Sequence, residues 1–499
     1  MAVLEVDLPE SDEAFHIEQH GIDHIPETER WAKPRDLFGM WAGASFQVEY
    51  FVYGVILMTF GFTFAQAVIL IVVGNLSYLL LGLTSLQGPD AGTTVFGINR
   101  ASYGPNGSKV LSLFNWLTQV GFETEGLVLI VGAAEVLAFK AGFHVGTPAK
   151  LAFVIVAVLI QLTLPLFGHA TILKTLRVLI LPCLVLYAVL AGLTIGKVQV
   201  HAVHTGLSWQ AFMTGLAFVI SLSGLGWTEC GNDYSRYLPR SASKSAIVWW
   251  VFLATALPEI LVMTLGAAIG TYAISIGTAA NPFSAFDSPH VVATGFVVPF
   301  LLFAIVQLFA INSIDLYSSG VTLQALGLKV RRWQAVVIDS TICLGLTIYA
   351  IFDSSFKTLL TDFASSIIAW IAPWMAIYLV DWALRRFRYA PSELQRTDPG
   401  GLYWRRGGIH WPAIIAQTLG TIVSVLSLSQ LFYVGQISRW IGMSSDHYFP
   451  DFSVFTGAFV GGAVYYVLAR KRVRAEADRQ DEILAAQRSG AEPALLETV

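Results

Sequence analysis

Twelve apolar stretches, each roughly 20 residues long, set the terms for everything else in this chain. A stretch of that length crosses the hydrocarbon core of a bilayer as a helix, because a helix satisfies every backbone N–H and C=O within the segment. The stretches cover 38–60, 63–86, 110–139, 149–168, 175–196, 209–229, 246–275, 293–324, 334–352, 362–382, 412–432 and 452–469. The third and eighth are long enough to tilt strongly. Composition agrees: the 499 residues are 55% hydrophobic and 13% charged, against about 25% charged in soluble domains. Lipid must replace water over much of such a surface. The expected fold is an all-α membrane protein with a tail over 1–37, a membrane domain over 38–470 and a second tail over 471–499.

Basic residues orient the spans. With the N-terminus placed in the cytoplasm, 25 of the 30 Lys and Arg fall in cytoplasmic tails and connections. The other side holds Lys140, Lys150, Lys197, Lys357 and Arg439. One missed span would invert every later loop and scramble this bias, so both termini are expected in the cytoplasm and the protein in the inner, cytoplasmic membrane. Residues 1–37 are acidic and polar, so no cleavable signal peptide is expected. The connection over 383–411 holds Arg385, Arg386 and Arg388 and reads as a loop or a short surface helix. The tail beyond Arg470 reads as a basic stop-transfer flank with a solvated, charged end.

Several function classes drop out. A net charge of -4 without a basic stripe gives no nucleic-acid surface. Cys183, Cys230 and Cys343 are far apart and read as small buried apolar groups, so no metal site and no cofactor is expected. There is no P-loop for ATP. His20, His24, His201, His204, His290, His410 and His447 fall in tails and loops and read as solvated. A membrane enzyme would need a nucleophile or metal cluster in the spans, and a receptor an appended signalling domain; neither is visible.

Two spans carry interruptions. Span one holds Gly43-Ala44-Ser45-Phe46-Gln47-Val48-Glu49 near its middle, and span six holds Ser221 to Glu229 with Gly224, Gly226 and Trp227. Small and polar residues there permit a helix break or a close backbone approach. Spans one and six are corresponding members of two five-span halves, about 38–196 and 209–382, with two extra helices over about 412–469. Paired breaks at matching positions point to an inverted-repeat transporter with its site at the bilayer midplane.

No Lys or Arg lies well inside a span, yet Glu49, Glu123, Glu125, Glu229, Glu259 and Asp315 do; Glu135 and Asp339 lie nearer span ends. Acids without bases in hydrocarbon suit a cation pathway. In span three, Gln119, Phe122, Glu123 and Gly126 share one helical face within an arc of about 100°. An amide, a ring, a carboxylate and a gap suit a flat heterocycle, with Trp227 beside Gly226 as a second stacking ring.

These residues resemble the nucleobase:cation symporter family on its cytosine and purine permease side. The resemblance rests on Gly21-Ile22-Asp23-His24-Ile25-Pro26-Glu27-Thr28-Glu29-Arg30 and on Gly97 to Ser108, with its Arg100, Tyr103, Gly104, Gly107 and Ser108. It extends to Trp227 followed by Asn232-Asp233-Tyr234-Ser235-Arg236-Tyr237, to Leu316-Tyr317-Ser318-Ser319-Gly320 with Leu323 to Gly327, and to Pro373 and Asp381. It covers about residues 20 to 470. It implies a LeuT-type fold of two inverted five-helix repeats plus two helices, and an aromatic sandwich of Phe122 and Trp227 around a flat base. Many members have Trp where this chain has Phe122, and some have Asn or Gln where it has Gly126, so base recognition there is altered.

The resemblance implies substrate contacts at Ser45, Phe46, Gln47, Gly226, Asn312 and Asp315 beside the span-three set. Sodium-coupled relatives have a Ser/Thr pair before the span-eight Asn; here Ala310 and Ile311 precede Asn312, with Ser313 as the alternative ligand if the register shifts. A proton is therefore favoured over sodium as coupling ion, with Glu49, Glu123, Glu229 and Asp315 as its candidate carriers. The expected function is cation-driven import of a nucleobase or similar small N-heterocycle; hydantoin, allantoin, a nucleoside or a vitamin remain alternatives, and a non-transporting receptor a further one.

Overall fold

The computed structural model describes residues 22–163, 168–200, 208–278, 281–288, 290–328, 330, 332–352, 356–430 and 433–489. Among them helices account for nearly all regular structure, with one isolated bridge between Ser429 and Val434. A helix lies over each of the twelve apolar stretches. Among the described residues eight helices are long and apolar enough to cross a membrane, and Val48–Met58, Thr147–Gln161 and Ala369–Leu384 are shorter apolar helices.

Span one is two helices, α1 (Asp36–Ser45) and α2 (Val48–Met58), parted by Phe46 (φ -82, ψ 59) and extended Gln47 (φ -113, ψ 150). Span two is α3 (Phe64–Asn75) and α4 (Tyr78–Thr84), followed by the short α5 (Gly88–Ala91) and α6 (Val95–Tyr103). Then come α7 (Gly107–Lys140), α8 (Thr147–Gln161) and α9 (Gly168–Thr194). Span six begins as α10 (Trp209–Ile220) and becomes a wide turn over Ser221–Leu225, where Ser223 is non-helical (φ -103, ψ -129). A tight turn over Gly226–Cys230 leads into α11 (Gly231–Ser235). The remaining helices are α12 (Lys244–Gly270), α13 (Thr294–Ala325), α14 (Arg332–Phe352), α15 (Phe356–Leu384), α16 (Trp411–Leu426), α17 (Gln436–Ile441) and α18 (Ser453–Ser489).

The interruptions fall where the small and polar residues stand, and for a physical reason. A break frees backbone groups that need partners in a dry interior. At the start of α2 the N–H of Val48 donates to Gln307 Oε1 of α13 (3.1 Å). At the sixth span the N–H of Gly224 donates to Ser77 Oγ, at the kink between α3 and α4 (3.1 Å). Only glycine fits at 224, since a Cβ there would lie 2.2 Å from the Tyr78 nitrogen. The breaks therefore sit against intact helices: α12 packs on α1, α2, α3 and α4, and α7 packs on α13.

The tail reading needs correction. α18 does not end with the apolar run at 469 but continues to Ser489, and Val473, Ala477, Gln480 and Ile483 are buried along it. It lies against the 383–411 connection, which forms a short helix over Pro391–Gln395 and a turn over Arg406–Gly408. Buried Arg405 and Arg385 both bind Glu476, and both also donate to the Ala101 carbonyl (2.9 Å each). The helical spacing of Val473, Ala477, Gln480 and Ile483 gives the tail one buried face. His410 is likewise not solvated: it is 1% exposed, and its Nδ1 lies 2.7 Å from the Ser102 carbonyl oxygen. His24 is half-buried against the Ala91 carbonyl, and burial pushes it below the ordinary imidazole range. His20, His201 and His204 lie outside the described residues. The three cysteines are buried and free.

Candidate functional site

A cavity lies where the two broken spans face α7 and α13. Gln47, Glu49, Tyr50 and Tyr53 line it from span one; Leu222, Gly226, Trp227 and Glu229 from span six; Gln119 and Phe122 from α7; and Ile311 and Asp315 from α13. No Lys, Arg or His is among these residues.

Local structure aims each group. Gln47, Tyr50 and Tyr53 are three residues apart, so they follow one side of α2 from its first turn. Glu49 stands in that same first turn, where the unpaired N–H groups favour a carboxylate. Trp227 sits in the tight turn after the break, partly buried and lining the cavity. Its indole N–H donates to the Tyr50 hydroxyl (2.8 Å), and Trp41 meets it edge-on at 5.8 Å. The ring is thereby fixed in orientation with one face left for a ligand. Phe122 enters from α7, partly buried. Glu229 is buried and held by amides: Gln119 Nε2 donates to it (2.7 Å). With its amide oriented to satisfy both neighbours, Asn115 donates to it as well (2.6 and 3.0 Å) and accepts from Thr322 (3.0 Å).

The other sequence-read candidates lie elsewhere. Ser45 and Phe46 are buried in the break of span one, where the Phe46 carbonyl accepts from the Cys183 thiol of α9 (3.6 Å). Glu123 is fully buried at the edge of the α7 arc it shares with Gln119 and Phe122, where the Cys343 thiol of α14 donates to it (3.2 Å). Gly126 lets α7 and α13 close up: a Cβ there would come within 2.1 Å of Asn312 Oδ1. Asn312 turns its amide N–H groups to that contact, donating to the Glu123 carbonyl (3.1 Å) and to Gln161 of α8 (2.8 Å), while its Oδ1 is buried without a partner. The Ser313 hydroxyl donates to the Ala310 carbonyl of its own helix (2.6 Å). Glu125 accepts from the Tyr53 hydroxyl (2.8 Å), Glu135 pairs with Lys150 (2.8 Å), and Asp339 accepts from Ser319 (2.6 Å) and Trp116.

Tyr50 and Tyr53 were missed in the sequence. The available signal was their period of three from Gln47, which places two hydroxyls on the polar side of an otherwise apolar half-helix. The residues that carried the family resemblance instead join span ends. Asn232 Oδ1 accepts from the Gly88 N–H (2.7 Å), Asp233 Oδ1 from the Val95 N–H (3.1 Å), and Asp233 Oδ2 from the Ser318 hydroxyl (3.2 Å).

An all-helical membrane bundle with two discontinuous spans meeting over a cavity of rings, amides and carboxylates is built as a secondary transporter. The chain belongs to the nucleobase:cation symporter family, for residues 24–448 match the family of permeases for cytosine/purines, uracil, thiamine and allantoin. It is 26% identical over 481 residues to YxlA of Bacillus subtilis, a protein named as a purine-cytosine permease, covering 94% of this chain and 99% of that one. It is 25% identical over 450 residues to purine-cytosine permease FCY21 of Saccharomyces cerevisiae, covering 85% and 81%. The fold matches Mhp1, a nucleobase-cation-symport-1 family transporter, in a closed conformation with bromovinylhydantoin bound (TM-score 0.70, 18% identity, 94% of this chain and 99% of that one). It also matches Mhp1 facing inward (TM-score 0.71, 17% identity, 97% and 99%). The LeuT-type fold follows; at that identity the likeness is one of fold.

Proposed function

We propose that the chain is a proton-driven symporter carrying a nucleobase of the cytosine or purine type, or a similar small N-heterocycle, into the cell across the cytoplasmic membrane, with both termini in the cytoplasm. One observation carries this reading: the cavity between the two breaks combines the Phe122 and Trp227 rings with Glu49, Glu229 and Asp315 and has no basic side chain. Rings at two sides suit a flat base, whose edge needs a few fixed donors and acceptors. Gln47 and Gln119 each retain a buried amide oxygen without a partner, which suits ring N–H or exocyclic amino donors.

Two features favour a proton over sodium. A hard cation needs several oxygens, yet Ala310 and Ile311 offer no side-chain oxygen, and the Ser313 hydroxyl is turned to its own helix. The cavity acids are buried without basic partners in the lining, a setting in which a bound proton removes the cost of the charge.

The reading is tested with labelled cytosine, adenine, hypoxanthine, uracil, allantoin and hydantoin in competition on cells expressing the chain; saturable uptake of at least one is expected. Hydantoin belongs in the panel because Mhp1 was seen with bromovinylhydantoin. Proteoliposomes with an imposed pH gradient or an imposed sodium gradient, each alone, then separate the ions. Accumulation with the pH gradient alone is expected; uptake driven by sodium alone, with voltage clamped and a protonophore without effect, would reverse the assignment.

A further inference from the structure

Glu259 lies in the middle of α12, outside the cavity lining, and is fully buried. Both of its carboxylate oxygens are occupied by hydroxyls: Tyr78 donates to Oε2 and Ser223 to Oε1. Neither partner is a cation. The elements packed on α12 bring it Tyr50 from α2, Tyr78 from α4, the Asn75 amide from α3 and Ser223 from the broken sixth span. α1 and α9 bring Asp36 and Arg177, which pair with each other at 3.9 Å beside Trp250, about 13 Å along α12 from Glu259.

Glu259 is joined to the cavity by a line of hydroxyls. Tyr78 Oη lies 3.1 Å from Tyr50 Oη, and Tyr50 Oη accepts from the Trp227 indole (2.8 Å). A hydroxyl has one proton to donate, so the direction of this line is fixed at its end. With Glu259 ionised, Tyr78 donates to it, Tyr50 donates to Tyr78, and the Tyr50 proton points away from the cavity. With a proton on Oε2, that proton is donated to Tyr78 Oη. Tyr78 then turns its own proton to Tyr50 Oη, and the Tyr50 proton is released into the cavity. Trp227 keeps its bond in both states, because Tyr50 Oη accepts there with its second lone pair. No other proton leaves its oxygen; the hydroxyls only rotate.

We propose that Glu259 is a proton-binding residue that reports its charge to the substrate cavity through Tyr78 and Tyr50, its protonated form presenting the Tyr50 hydroxyl to the ligand and its ionised form withdrawing it. This rests on the cavity being the substrate site. Glu259 acts as a positioning residue, since it does not touch the ligand. Its Ser223 contact also ties its charge to the non-helical residue of the sixth span, so the proton that changes the cavity donor also loosens or tightens that break.

The test is equilibrium binding to purified protein, without gradients, from pH 5.5 to 8.5. The probe is whichever of tritiated cytosine, hypoxanthine and allantoin wild type binds most tightly. Wild-type affinity should fall about tenfold as pH rises, the worth of one buried hydrogen bond. Glu259→Gln keeps a donor at that position at every pH and should hold the acid-side affinity throughout. Tyr78→Phe cuts the line while keeping the ring; it should lose about fivefold at acid pH and have a flatter pH profile than wild type. Wild-type pH dependence in both variants would overturn the proposal, and if Glu259→Gln does not fold, Tyr78→Phe decides alone. Unchanged binding in Trp227→Ala, or no binding of any probe by wild type, would instead remove the cavity as the substrate site and this proposal with it.

Discussion

Two buried charged regions of this molecule are neutralised in opposite ways. Where α15, α18 and the 383–411 connection meet, Asp381 and Glu476 face Arg385 and Arg405. Arg385 Nε lies 2.9 Å from Asp381, and Arg405 Nε 2.8 Å from Glu476. Tyr465 adds a donor to Asp381 (2.6 Å). In the middle of the bundle Glu125, Glu229 and Glu259 are bound by hydroxyls and amides. A guanidinium partner fixes a carboxylate as an anion at every physiological pH. Hydroxyls and amides accommodate either protonation state. One region is therefore built to hold its charge and the other to change it, and the changeable one lines or adjoins the cavity.

The largest effect should come from the fixed region. Arg385→Ala leaves Asp381 buried without its cation, a loss of about 3–5 kcal/mol. Thermal unfolding in detergent should show a strongly lowered midpoint or no folded protein. Glu229→Gln, by contrast, should unfold within a few degrees of wild type. Equal stability of Arg385→Ala and wild type would erase the distinction between the regions.

Trp227→Ala should act on binding and not on assembly. Loss of one stacking face removes about 1–3 kcal/mol, roughly 5- to 150-fold in affinity. Membrane abundance should stay near normal. Unchanged affinity would place the substrate elsewhere.

The smallest effect is expected from Phe122→Trp, which enlarges the opposite ring to the one commoner in the family. Affinity should move by less than about fivefold, under 1 kcal/mol. A complete loss of uptake would mean that the cavity is shaped around the smaller ring.

Both breaks were legible in the sequence, because Ser45-Phe46-Gln47 and Ser221 to Gly226 place small or polar groups inside apolar runs, where an intact helix has no use for them. Side-chain direction was less legible. Gln119, Phe122 and Glu123 fall within one arc of α7, yet only the first two line the cavity; Glu123 turns to Cys343, because α14 covers that side. Which part of an arc faces which neighbour is settled by helices far away in sequence. The same holds for Asn312, which the register offers to a ligand and which the close approach at Gly126 draws into the α7–α13 contact. The tail was misjudged for a simpler reason. Its charges suggest solvation, and their partners Arg385 and Arg405 stand some 70 to 90 residues earlier.

The strap formed by α18 also sets an order of events during synthesis. Domains emerge N-terminal end first, at about 5–20 residues per second. Arg405 is made and brought to the membrane before Glu476 exists, so its ion pair with Glu476 forms only once α18 has extended past the twelfth span. α18 thus leaves the ribosome after the twelve spans and closes on loops made long before it, and a chain stopped shortly after residue 470 would carry all twelve spans and still lack Glu476.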